Sequence, residues 1–133
     1  MELTNQQVLN ALGALRELGQ KETPVATSVH IVRLNRALKA PADDIEAVRL
    51  KIVAEHGAKD EHGNARTGAG GQTLFDDEAH RVAAQAQYDE LMALTCEVEA
   101  MPLRQAELGT IQVRGVVLEA LGPLFVLDEE ATP

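Results

Sequence analysis

Ile31, Leu34, Leu38, Ile45, Val48 and Ile52 fall at spacings of 3, 4, 7, 3 and 4. This is a heptad seam with one position interrupted, and Pro41 interrupts it. A proline inside a helix costs about 3 kcal/mol relative to alanine, so the local reading gives two helices broken at Ala40-Pro41. The phase argues the other way, because two independent helices have no reason to keep one register across a break. The pattern therefore predicts a single kinked helix over 25–56, ended by Gly57. A helix of that length reaches about 48 Å at 1.5 Å per residue, which is long for a chain of 133 residues. The seam reads as core, as an oligomer interface, or as both, and part of it is expected to await a partner.

Two shorter helices flank this one in the sequence. Thr4 with Gln7 forms a capping-box pattern, and Leu3 and Val8 occupy the staple positions on either side of it. Val8, Leu12 and Leu15 continue the apolar stripe to Gly19, which predicts a helix over 5–18. Thr23 before Pro24 reads as the start of the long helix. Residues 58–73 form a loop, with turn chemistry at Asp60-Glu61-His62-Gly63-Asn64 and glycines at 68, 70 and 71. Asp76 or Asp77 caps a third helix that runs to about Leu94. Glu97–Leu103 alternates and predicts a short strand, placed at a sheet edge by Pro102, with Leu108–Val113 as its partner. Val116–Leu121 suits a short helix ending at Gly122, Leu124–Leu127 a final apolar tether, and 128–133 an acidic tail.

The expected fold is mainly α. A long kinked helix packs with two shorter helices in a hairpin or bundle, and a small C-terminal strand and short-helix element gives a minor α+β character. One domain is expected, with a helical part at 1–95, the small part at 96–127 and the tail at 128–133.

Charge narrows the functional classes. The chain has 12 basic and 21 acidic residues, net −9. Residues 1–59 carry 8 Lys/Arg and 7 Asp/Glu, whereas 60–133 carry 4 and 14, so the acidic excess lies in the second half. General nucleic-acid binding lacks its basic footprint, and attraction to anionic membranes lacks its cations. Arg33, Arg36 and Lys39 recur at intervals of three along the long helix. They form a candidate patch for an anion or an acidic partner, and the acidic half of a second copy is one such partner.

Chemistry-bearing patterns are sparse. His30, His56, His62 and His80 never stand four apart, and no paired cysteines accompany them, so no metal site is expected. The glycines at 68–71 lack the Lys-Ser/Thr of a phosphate loop. Ser28 and His30 stand two apart on a helix and do not converge. Cys96, alone among apolar residues, reads as a buried small hydrophobe. The expectation is a protein with no catalytic residues and no cofactor.

The opening Met1-Glu2-Leu3-Thr4-Asn5-Gln6-Gln7-Val8-Leu9-Asn10-Ala11-Leu12, followed by Pro24-Val25, resembles a widespread family of small phage and prophage proteins. So do the long charged helix ending near Lys59-Asp60-Glu61-His62-Gly63-Asn64, the Glu97-Val98-Glu99 segment and the acidic end after Leu127. The chain departs from that family at Pro41 and in its longer glycine-rich loop at 65–72. The family has no assigned function. The resemblance implies a viral gene product, present in the host cytoplasm during infection or incorporated into the virion. Together with the residues, it leads to a non-enzymatic interaction protein, virion-associated or an assembly component, acting through helix-mediated oligomer contacts. The alternative is an anti-defence protein that masks a host immune protein or sequesters a nucleotide signal.

Overall fold

The computed structural model describes residues 1–127 of the chain; the acidic tail expected at 128–133 lies outside them. The fold is mainly α with minor β. In chain order the elements are β1 (Glu2–Thr4), α1 (Asn5–Gly19), α2 (Val25–His56), α3 (Glu78–Ala93), β2 (Thr95–Glu97), β3 (Leu103–Arg104), α4 (Gln105–Leu108), α5 (Gly115–Leu121), a 3-10 turn (Gly122–Leu124) and β4 (Phe125–Val126). The chain divides into two compact units: Met1–Ala42 with the segment from Thr95 onward, and Asp43–Leu94. The division falls between Ala42 and Asp43, inside α2 and just past Pro41.

α2 runs unbroken through Pro41 for 32 residues, as the register of its seam predicts. The proline removes one backbone bond, the one its N–H would donate to the Ala37 carbonyl. Apolar burial on both sides of it keeps the element one helix: Ile31, Leu34 and Leu38 are buried before it, Ile45 and Ile52 after it.

In the first unit, α1 begins as its sequence predicts. The Gln7 N–H donates to Thr4 Oγ1 at 3.1 Å, and the Gln7 side chain accepts from the Thr4 N–H at 2.9 Å. Leu3 and Val8, flanking this cap, are both buried. α1 packs against α5, which buries Val117 and Leu121.

The strands correct the sequence reading. Of the expected strand over 97–103 only the ends are strand: Glu97 closes Thr95–Glu97, which pairs antiparallel with β1 and brings Leu3 opposite Cys96, and Leu103 opens β3. Residues 98–102 between them are not strand, because β1 offers only three residues and Pro102 has no N–H to donate. Leu108–Val113 pairs with no strand among the described residues. Leu108 closes α4, and Gly109 turns the chain at φ +58°, a conformation that suits glycine. Leu103–Arg104 pairs instead with β4, in parallel, so the last apolar segment is a strand. Cys96 is half-buried on β2 rather than in the core.

In the second unit, the loop between α2 and α3 is built by backbone bonds. Ala58 N–H donates to Leu74 O at 2.8 Å and Leu74 N–H to Arg66 O at 3.0 Å. The Asp60 carboxylate accepts from the His62 and Asn64 N–H groups at 2.8 and 2.9 Å. Of the two candidate caps, Asp77 starts α3, accepting from the His80 N–H at 2.9 Å. Ala84, Leu91 and Met92 form the buried face of α3.

Candidate functional site

Two surfaces stand out in the first unit, both on the N-terminal half of α2. The first is a cleft of about 640 Å³ lined by Ala26, His30, Arg33 and Leu34 of α2, Glu99–Met101, and Glu107 of α4. Residues 26, 30, 33 and 34 recur at helical spacing, which brings them to one side. His30 organises the cleft. Its Nδ1 lies 2.6 Å from Glu107 Oε2 and its Nε2 lies 2.7 Å from the Met101 carbonyl. Each ring nitrogen thus faces one oxygen partner, a carboxyl on α4 and a backbone carbonyl. Glu107 is fixed twice more. The buried Thr27 hydroxyl donates to its carbonyl at 2.6 Å, and its Oε1 accepts from the Arg104 N–H at 3.1 Å.

This arrangement is a clamp. With Nε2 engaged by Met101, His30 has no nitrogen left to serve as a base. Ser28, the one serine, turns to Thr23 and not to His30. Among the described residues, no group of three or more His, Cys, Asp or Glu is placed to hold a metal ion. No helix among them is long and apolar enough to cross a membrane.

The second surface is apolar. Val25, Val29 and Val32 are 81, 43 and 48 % exposed. Their spacing of four and three puts them on one side of α2, away from the buried Ile31, Leu34 and Leu38. Arg33 and Arg36 flank them, are exposed, and enter no ion pair among the described residues. The predicted cationic patch is thus placed only in part. A step of three residues turns the helix by about 300°, so Arg33, Arg36 and Lys39 sweep around the axis. Arg33 alone reaches the cleft, and all three are exposed.

The seam residues are placed more simply. Ile31, Leu34, Leu38, Ile45 and Ile52 are buried within the single chain, and Val48 is 42 % exposed. Val48 borders a groove of about 320 Å³ in the second unit, between α2 and α3. Ile52 and Leu91 line it with Leu94, which is 55 % exposed, while Lys51, Glu55, Gln87 and Glu90 supply its polar groups.

A further cleft of about 540 Å³ in this unit holds Arg49 and Arg81 beside Phe75 and Tyr88. Both guanidiniums are already engaged. Arg49 donates twice to Glu46, at 2.9 and 2.6 Å, and Arg81 twice to Glu78. These bonds hold both carboxyls below their ordinary range, and an anion entering the cleft would have to compete with them.

Thr27, His30, Met101 and Glu107 were not predicted as a cluster. The one sequence signal was a Thr and a His three apart on the apolar side of α2; their partner lies 77 residues away from His30. Comparison with protein-family models, with curated proteins and with solved structures gives no match to this chain.

Proposed function

We propose that this is a non-enzymatic interaction protein of a phage, virion-associated or an assembly component, that works through helix contacts in an oligomer. One observation carries the reading. The N-terminal half of α2 has a second apolar face, Val25–Val29–Val32, exposed and bordered by two arginines without ion-pair partners among the described residues. Single exposed apolar side chains are ordinary, but several aligned on one helix face mark an interaction surface. The buried seam does not serve this role, because its residues already form core. The phage origin rests on the resemblance of the opening segment and of the layout.

The nucleotide-sequestering alternative needs an anion pocket. The cleft at Arg33 also contains the Glu99 and Glu107 carboxylates, which repel an anion, so this reading has less support.

The test is made on particles. Phage particles purified on a density gradient from a host carrying this gene are expected to contain the protein, detected by mass spectrometry, or to fall in yield when the gene is deleted. Protein-free particles at undiminished yield would contradict the proposal.

A further inference from the structure

We infer that copies of this chain associate through α2, the Val25–Val29–Val32 face of one copy seating in the α2–α3 groove of another. The inference rests on the reading of the protein as one that works through helix contacts, and it names both surfaces and the occupant.

Length is the first argument. The exposed stripe runs from Val25 to Val32, seven residue steps along α2. The groove is walled by Val48–Glu55 on α2 and by Gln87–Leu94 on α3, each also seven steps. All three segments are two helical turns, about 10 Å at 1.5 Å per residue. Seating the stripe makes a three-helix contact, with each helix contributing one face at the period of helix packing.

Polarity is the second. The floor of the groove, Ile52 and Leu91, is apolar, and its rims carry the exposed Val48 and Leu94. Val48 is the one seam residue with substantial exposure in the single chain. A docked valine face covers it and gives the seam position a partner.

Charge is the third. Arg33 and Arg36 border the stripe, and the groove carries Glu55 and Glu90 against one cation, Lys51, leaving it net negative. Neither the two arginines nor the two glutamates enter an ion pair among the described residues. Docking brings the two cations to the two carboxylates, which fixes direction and register more than it adds affinity. Because both surfaces belong to α2, the groove is filled by another copy's helix and not by its own. The contact joins different patches, so two copies exchange it reciprocally in a closed pair or pass it on in rings and open chains.

The test uses two full-length variants with one intact surface each. Val29→Asp spoils the stripe and keeps the groove; Val48→Asp spoils the groove and keeps the stripe. Both sites are exposed, and circular dichroism checks that each variant folds. In sedimentation velocity the wild type is expected to self-associate as concentration rises. Each variant alone is expected to associate about tenfold more weakly or not at all. An equimolar mixture is expected to form one heterodimer and nothing larger, because only one good stripe and one good groove remain. Arg36→Glu and Glu90→Arg are each expected to associate more weakly alone, because like charges then meet, and their mixture to associate as the wild type does, because opposite charges meet at both contacts; neither perturbs an apolar surface. A wild type that stays monomeric overturns the inference. So does a wild type that associates while the folded variants assemble unchanged, or fail to complement each other. In that last case helix-mediated association stands and only this pairing of surfaces falls.

Discussion

His30 Nδ1 meets Glu107 Oε2 at 2.6 Å across 77 residues of sequence, while its Nε2 reaches the Met101 carbonyl at 2.7 Å. One side chain of α2 thereby holds both α4 and the segment that precedes β3. Losing the Glu107 bond leaves a half-buried imidazole with one partner. Glu107→Ala is expected to lower unfolding free energy by about 1–3 kcal/mol, measured by urea denaturation. A smaller loss would mean that the clamp is ornamental.

The seam separates into core and surface, and substitution should separate them too. Leu34 is 1 % exposed and Val48 is 42 % exposed. Leu34→Ala is expected to cost about 2–5 kcal/mol through the cavity it leaves. Val48→Ala is expected to stay within about 1 kcal/mol in the monomer. Equal costs in thermal or chemical unfolding would contradict the burial pattern.

Pro41 sits inside a continuous helix, where it deletes a backbone bond. Pro41→Ala is expected to stabilise the protein by about 1–3 kcal/mol, seen as a higher melting temperature with helical circular dichroism retained or raised. A lower melting temperature would mean that the proline's geometry is required by the packing on either side.

The carboxyl of Asp77 is held below its ordinary range, first by the His80 backbone N–H and then by the His80 side chain. A depressed folded-state value contributes stability above the unfolded-state value, about 3.9, and loses it as pH falls through the depressed value. The advantage of the wild type over Asp77→Ala is therefore expected to be steady near neutral pH and to narrow below about pH 4. Melting curves across that range check it, and an advantage that grows on acidification would reverse the assignment.

The helical part of the fold was legible because its signals are local. The Thr4–Gln7 box, the Asp77 cap and the seven-residue phase across Pro41 each lie within a few turns of chain. The strands were not, because three-residue and two-residue elements carry too little alternation to register, and their partners lie far away: Leu3 against Cys96, Leu103 against Phe125. The candidate surfaces divided in the same way. The cationic residues were visible, but their spread around α2 follows from the 3.6-residue turn. The valine stripe went unremarked because Val25, Val29 and Val32 are as apolar as core residues. Only the structure distinguishes an exposed valine from a buried one.

The central claim is that the exposed face of α2 is a working surface. Sedimentation equilibrium of the wild type beside Val29→Asp, over a wide concentration range, tests it most directly. The weight-average mass is expected to climb with concentration for the wild type and to stay near the monomer for the variant. A wild-type mass that stays at the monomer throughout, or a variant that climbs as the wild type does, would contradict it.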